Sequence, residues 1–143
     1  MTDDFSCGVI PYRVIDGRRE FLLVQHQAGH WAFPKGHPDA GESHLETARR
    51  ELSEETGIDR VTLDEDRPFE EVYTFTKRSG KQVRKRVVYF VGEVVGGPSV
   101  RVQASEIADY AWDDAGAARE RMSFDEGRAL LDEVVAYLGS ESA

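Results

Sequence analysis

Runs of apolar residues recur along the chain and are separated by polar turn segments, as expected of β-strands. Six segments rich in β-branched and aromatic residues are bounded by turn residues; they span residues 6–15, 20–26, 69–77, 85–95, 99–103 and 108–114. These runs predict strands, the last two of them short. Pro11 has no backbone N–H to donate, so the first strand is expected at a sheet edge or at a bulge.

Apolar positions at helical spacing predict a first helix within residues 43–57. Ser43 and Glu46 have the spacing of a capping box, and Gly57 is placed to end the helix. The apolar face lies about a quarter turn or more from a second face made of glutamates. The helix can therefore pack on a sheet and still present carboxylates to a cleft.

A second helix is predicted over residues 123–138. Leucines and valines form its apolar stripe, Ser123 and Glu126 again have the capping-box spacing, and Gly139 ends it. Between the second strand and the first helix, the glycines and prolines of residues 30–42 exclude regular structure and predict a loop of fixed shape. Strands before, between and after two helices indicate a mixed sheet with helices on its faces.

The composition excludes several classes of function. A chain of 143 residues fits one domain, and its net charge of -9 argues against general affinity for nucleic acids or anionic membranes. Cys7 is the only cysteine, which rules out an intramolecular disulfide and thiolate metal clusters. No apolar run is long enough to span a membrane, and the acidic start is unlike a signal peptide. We therefore expect a cytoplasmic protein, with no obligate protein partner evident.

Three glutamates crowd one side of the first helix. Glu51 lies three and four residues before Glu54 and Glu55, so the three side chains are neighbours on the helix surface and repel one another. In a partly dehydrated cleft, two such charges about 4 Å apart repel by roughly 4 kcal/mol. Either the glutamates form an ordinary solvated face, or a cation binds among them.

The loop and the first helix together match a known motif. The pattern is G-x5-E-x7-R-E-L-x-E-E-x-G-I, and its fixed residues are Gly36, Glu42, Arg50, Glu51, Leu52, Glu54, Glu55, Gly57 and Ile58. This segment resembles the Nudix box at every defining position. The resemblance implies a Nudix α/β/α sandwich with a mixed β-sheet between helices, as a single domain over residues 1–143. It also implies hydrolysis of a nucleoside diphosphate linked to another group.

The resemblance also implies a set of metal ligands. In the family, the residues matching Glu51, Glu54 and Glu55 ligate Mg²⁺ or Mn²⁺, with the Gly36 carbonyl as a further ligand. Hard divalent cations prefer such oxygen donors, and they would turn the mutual repulsion into attraction. Arg50 precedes Glu54 by four residues and is expected to orient a carboxylate through an ion pair. The counterpart of Glu42 helps to hold the loop on the helix.

Residues outside the box resemble one branch of the family. The run HWAFPKGHPDAGE, the pattern of Glu106, Tyr110 and Trp112, and the position of Tyr73 are similar to those of asymmetrical diadenosine tetraphosphate hydrolases. By this resemblance, Glu106 is an additional metal ligand or positions the attacking water. The general base stays open, with Glu51 preferred and Glu106 next.

The same resemblance suggests substrate contacts. Lys35 and His37 flank the loop glycine and are expected to contact phosphate oxygens, although a loop-stabilising hydrogen bond is an equal alternative for His37. Tyr73 and Tyr89 are candidates to stack on adenine or to line its pocket, or else are ordinary strand core positions. Cys7 is interpreted as structural, and so is His30.

A basic run stands out on this acidic chain. Six of the ten residues from 77 to 86 are lysine or arginine. The run is either a solvated hairpin or a source of phosphate contacts, in which case Lys85 and Arg86 are the candidates to reach the outer phosphates of a long chain.

The expected activity is asymmetrical, metal-dependent hydrolysis of diadenosine tetraphosphate to ATP and AMP, a small-molecule nucleotide substrate. One alternative is another Nudix pyrophosphohydrolase that acts on nucleoside triphosphates or RNA 5' ends. Another is a Nudix module that binds nucleotides without cleaving them. RNA binding through the basic run would instead predict strongly salt-dependent affinity without metal.

Overall fold

The computed structural model describes residues 1–139, which form one eight-stranded sheet and three helices. The elements are β1 (Thr2–Ile15), β2 (Arg18–His26), β3 (Trp31–Ala32), β4 (Lys35–Gly36), α1 (His44–Thr56), β5 (Val61–Leu63), β6 (Phe69–Thr76), β7 (Gln82–Val94), β8 (Ile107–Asp113), α2 (Ala115–Arg121) and α3 (Asp125–Leu138). Within this range, no helix is long and apolar enough to cross a bilayer.

The sheet is mixed, and its two faces carry different helices. β1 runs parallel to β7 and antiparallel to β2, β6 pairs antiparallel with β7, and β8 pairs antiparallel with β2. One core, which includes Ala48 and Leu52, packs α1 on one face. A second core, which includes Ala118 and Leu131, packs α2 and α3 on the other. The predicted sandwich with a mixed sheet between helices is confirmed.

Several local predictions were wrong. β1 lies inside the sheet, between β2 and β7, and not at an edge. Pro11 is accommodated there because it falls after the pairing of β1 with β4 at Cys7 and Gly8 and before its pairing with β2, which begins at Tyr12. Residues 99–103 form no strand. The loop of residues 30–42 contains the short strands β3 and β4, and the sequence did not indicate β5 or α2.

The two predicted capping boxes had opposite outcomes. In α1 the Ser43 side chain accepts from the backbone N–H of Glu46, the reciprocal bond is present, and Gly57 ends the helix with φ at +75°. In α3 the box is wrong, because the helix begins at Asp125 after Phe124, whose side chain makes no capping bond. The Ser123 hydroxyl instead accepts from the backbone N–H of Trp31 at 2.8 Å.

Candidate active site

Arg50 organises the polar side of α1. Its guanidinium donates to Glu42 at 2.6 and 3.0 Å, to Glu51 at 2.9 Å, and to the carbonyl of His37 at 2.8 Å. The predicted pair with Glu54, one helical turn on, is present at 3.1 Å. Because the guanidinium is planar, these contacts hold the carboxylates in fixed rotamers beside the loop.

Glu42 holds the loop on the helix, as its counterpart does in the family. Besides Arg50, its carboxylate accepts from the Thr47 hydroxyl and from the backbone N–H of Asp39, both at 2.8 Å. These bonds, those from Arg50 above all, lower the pKa of Glu42 to about 2. Glu42 is therefore a fully ionised tether between the loop and the helix.

Glu55 is the carboxylate that the protein itself leaves incompletely satisfied. It is 3% exposed, and its Oε1 atom has no hydrogen-bond partner in the described part of the chain. Burial, reinforced by the charge of Glu51, raises the pKa of Glu55 to about 8. Burial also raises the pKa of Glu51, against the opposing effect of Arg50. A buried carboxylate with one unpartnered oxygen, beside a second carboxylate, is a site suited to a cation.

These donors fit a divalent cation, although the side chains do not form a closed cage. Within residues 1–139, no group of three or more His, Cys, Asp or Glu side chains is arranged to hold a metal ion. One nitrogen of Arg50, Nη1, contacts both Glu51 and Glu54. A Cβ at Gly36 would lie 2.1 Å from the Glu51 carboxylate carbon, so only glycine lets the backbone approach it. Carboxylates and a close backbone segment form the oxygen-rich donor set that Mg²⁺ or Mn²⁺ prefers.

Most of the predicted site residues line one cavity of about 370 Å³, called here the main cavity. Its acidic set is Glu51, Glu54, Glu55 and Glu106, and its basic set is Lys35, His37 and Lys85. Gly36 and Arg50 line it as well. Glu106 enters from the segment before β8, where its carbonyl accepts from the N–H of Gln27 at 2.9 Å. Ser6, His26, Asp39 and Gln103 complete the lining and had not been predicted.

The alternation of β7 separates the two basic residues predicted at its start. Lys85 faces inward and is 5% exposed, with its ammonium 2.8 Å from Asp4 and 2.6 Å from the Ser6 hydroxyl. Arg86 faces the other way, pairs with Glu70 at 2.5 Å and lies over the Phe5 ring. The structure thus brings Lys85 to the main cavity and places Arg86 outside it.

Three aromatic residues, Tyr73, Phe75 and Phe124, line a second opening of about 390 Å³, called here the aromatic slot. It lies between Tyr73 of β6 and Phe124 before α3, with His30 at its edge. Phe124 is 51% exposed, and its ring centroid is 5.5 Å from that of His30. A smaller cavity of about 30 Å³ shares these residues and reaches Lys35, which also lines the main cavity. The main cavity and this smaller cavity therefore share a boundary at Lys35.

The slot and the small cavity include residues that were not predicted from the sequence. His30 was interpreted as structural, and Phe124 and Glu71 were not singled out. Glu71 lines the small cavity, and no hydrogen bond or ion pair joins its carboxylate to another residue in 1–139. Tyr89 lines the same cavity but is 1% exposed and meets Phe33 edge-on, so its ring has no free face for stacking. An aromatic side chain beside a helix start was the one signal that could have indicated Phe124.

Comparisons with known proteins agree with this geometry. The model of the NUDIX domain matches residues 8–133. An asymmetrical bis(5'-nucleosyl)-tetraphosphatase of Mus musculus is 36% identical over 96% of this chain and 97% of its own length. One of Caenorhabditis elegans is 31% identical, covering 93% of this chain and 95% of its own. The crystal structure of a C. elegans Ap4A hydrolase binary complex has a TM-score of 0.83 at 30% identity, covering 94% of this chain and 97% of that one.

Proposed function

The chain belongs to the NUDIX family and is a Nudix hydrolase, and on that premise we propose that it cleaves dinucleoside polyphosphates, above all diadenosine tetraphosphate, to ATP and AMP with Mg²⁺ or Mn²⁺. The observation that carries the proposal is the main cavity, in which an acidic set suited to cations faces a basic set suited to phosphates. The mouse and nematode relatives named for this activity match nearly the whole chain.

The acidic set would hold the metal. Glu51, Glu54 and Glu55, together with the carbonyl of Gly36, are the proposed ligands, and Glu106 is proposed as an additional one. A divalent ion bound there supplies charge neutralisation for the bridging and leaving oxygens. The unpartnered oxygen of Glu55 is the atom of the protein that gains most from such a ligand.

The protein's own groups then position and deprotonate water. Burial acts to raise the pKa of Glu51, and a bound divalent cation would oppose that rise, so its role as base is proposed from its position in the main cavity. Arg50 fixes the orientation of Glu51 through the 2.9 Å bond. Glu51 is the proposed general base, with Glu106 as the alternative because it reaches the same cavity from the opposite segment.

The basic set and the aromatic slot would bind the two ends of the substrate. Lys35, His37 and Lys85 offer cationic and hydrogen-bonding groups to phosphate oxygens. The slot between Tyr73 and Phe124 offers aromatic faces to a nucleobase, which any base can stack on. The small cavity borders Lys35 and shares Tyr73 and Phe124 with the slot, so a phosphate chain in the main cavity and its attached nucleoside can occupy neighbouring sites.

A product assay tests the proposal. The protein is incubated with diadenosine tetraphosphate and Mg²⁺, and the products are separated by chromatography. Equal amounts of ATP and AMP are expected. Two molecules of ADP would overturn the asymmetrical position of cleavage. No cleavage of the dinucleotide, together with rapid release of pyrophosphate from a nucleoside triphosphate, would overturn the substrate assignment. The same reactions with Mn²⁺ and with EDTA test the metal requirement.

Two wider predictions accompany the proposal. A single domain over residues 1–143 is proposed, of which residues 140–143 lie outside the described part. The free Cys7 is buried, which is compatible with the reducing cytoplasm expected from the sequence. Fractionation of the native host would test that location.

A further inference from the structure

Asp4 connects two members of the basic set from behind the main cavity. Its Oδ2 atom lies 2.8 Å from the ammonium of Lys85, and its Oδ1 atom lies 2.9 Å from Nε2 of His37. Lys85 and His37 line the main cavity, whereas Asp4 does not. A single carboxylate therefore joins a strand residue and a loop residue that both face the proposed phosphate site.

The register of the sheet produces this arrangement. Asp4 lies directly opposite Lys85 in the parallel pairing of β1 with β7. Ser6, two residues further along the same face of β1, accepts a second bond from Lys85 at 2.6 Å. Because alternate residues of a strand point to the same side, β1 presents two acceptors in a row to one ammonium group.

The ammonium keeps one donor for a ligand. A lysine ammonium has three N–H donors, and Lys85 uses two of them on Asp4 and Ser6. No third hydrogen bond links the Lys85 ammonium to another residue in the described range 1–139. Lys85 is only 5% exposed and lines the main cavity. Its bonds to Asp4 and Ser6 fix the orientation of the ammonium and thereby set the direction of the third N–H.

The Asp4 carboxylate stays ionised in this position. Partial burial acts to raise its pKa, but the bond and the charge of Lys85, with those of His37, outweigh burial and lower it. A negative charge beside a proposed phosphate site would by itself weaken the binding of an anion. Asp4 therefore favours phosphate binding only if the gain from positioning Lys85 and His37 exceeds the repulsion between its own charge and the phosphate.

We propose that Asp4 is a positioning residue, one that fixes Lys85 and His37 toward the phosphate chain and thereby strengthens substrate binding. The identity of the substrate rests on the proposed function. The positioning role of Asp4 requires only that the ligand be a polyphosphate, inorganic or organic. Asp4 acts through Lys85 and His37 and does not itself contact the phosphates.

The sign of one binding change tests the proposal. Inorganic tripolyphosphate is titrated into the wild type and into Asp4→Asn in EDTA, with calorimetric detection. Loss of positioning weakens binding, and we expect a roughly tenfold higher Kd, equivalent to about 1.4 kcal/mol. Loss of a mere negative charge would instead tighten it. Asp3→Asn is the matched control, because it removes the same charge from the neighbouring exposed position and is expected to leave Kd unchanged or slightly lower.

Asp4→Glu provides a second test in case Asp4→Asn does not fold correctly. It retains the charge and displaces the carboxylate by one methylene, so weaker binding is again expected if position matters. Thermal melts establish that each variant is folded. Binding of tripolyphosphate by folded Asp4→Asn or Asp4→Glu that equals or exceeds that of Asp3→Asn would overturn the proposal.

Kinetics with diadenosine tetraphosphate separate this inference from the proposed function. Asp4→Asn is expected to raise KM several-fold while kcat stays within about twofold, because Asp4 lies away from the acidic set. An equal loss in kcat would contradict a positioning role. If the wild type does not cleave the dinucleotide, the proposed function fails, whereas the tripolyphosphate titration still decides the role of Asp4.

Discussion

At the acidic set of the main cavity, Glu51 and Glu54 are already paired with Arg50, whereas the aromatic slot presents open ring faces. Arg50 alone contacts Glu42, Glu51 and Glu54. In the slot, Phe124 is half exposed and meets His30 only at a tilted ring distance of 5.5 Å. One region is held by directional ion pairs before any ligand arrives, and the other offers apolar surface that a ligand would cover.

This difference separates two kinds of contribution to catalysis. Fixed charges lower a barrier because they need little reorganisation during the reaction. Aromatic surface contributes binding energy that acts on the substrate and transition state alike. Substitutions at the acidic set should therefore affect kcat, and substitutions in the slot should affect KM. The first three predictions below test that division, and a fourth contrasts the stability contributions of two carboxylates.

The largest effect is expected from Glu54→Gln. Removing one anionic ligand of the proposed metal site should lower kcat by about 10²–10³-fold at saturating Mg²⁺, the scale seen when a preorganised electrostatic group is lost. Steady-state kinetics and a thermal melt measure activity and folding together. Glu133→Gln, an exposed position on α3, is the control. Near-normal turnover by Glu54→Gln would remove Glu54 from the metal site.

Arg50→Lys should have the next largest effect. A lysine cannot reproduce the planar set of bonds to Glu42, Glu51, Glu54 and the loop carbonyl, so we expect kcat to fall about 10- to 100-fold, as for other residues that orient metal ligands. The neighbouring exposed Arg49, changed to lysine in the same way, should keep full activity. Equal activity of the two variants would show that orientation by Arg50 is unimportant.

In the slot, Phe124→Ala should raise KM about tenfold and change kcat little. Stacking of a base on an aromatic side chain is worth about 1–3 kcal/mol by alanine substitution. Phe124→Tyr keeps the ring and should restore KM, which a general packing defect would not allow. If KM for the dinucleotide is unchanged in Phe124→Ala, the base binds elsewhere.

The last prediction concerns stability rather than activity and contrasts two carboxylates. Glu42 is paired and its pKa is lowered, whereas burial raises the pKa of Glu71 from 4.5 to about 7. A raised pKa means that the folded state binds more protons, so this group's contribution to stability falls as pH rises from about 4.5 to about 7. Glu71→Gln should therefore be more stable than the wild type above pH 7, by at most about 3 kcal/mol, and the gain should vanish near pH 4. Urea denaturation of both proteins near pH 4 and above pH 7 measures the difference in their free energies of unfolding. The same difference at both pH values would contradict the prediction.

The same contrast explains what could be predicted from the sequence. The box, its helix and its cap are local, so the spacing of Glu51, Glu54 and Glu55 and the Ser43 cap led to a correct helix and a correct family. The slot joins residues 30, 73 and 124, which no local pattern connects. The predicted cap at Ser123 was wrong for the same reason. Its hydroxyl accepts a hydrogen bond from Trp31, which is distant in sequence, and does not cap its own helix. Pro11 misled because the interruption beside it depends on where β4 and β2 pair.

The parallel pairing of β1 with β7 also has a consequence for how the chain acquires activity. Thr2 pairs with Val83, so the centre of the sheet joins segments about 80 residues apart. Such distant pairing makes folding slower than a hairpin meander of equal length would be. During synthesis, β1 must wait for β7 to leave the ribosome, and α1, which lies between them in the chain, has no completed sheet to pack against until then. Activity is thus acquired late, once most of the chain has been made.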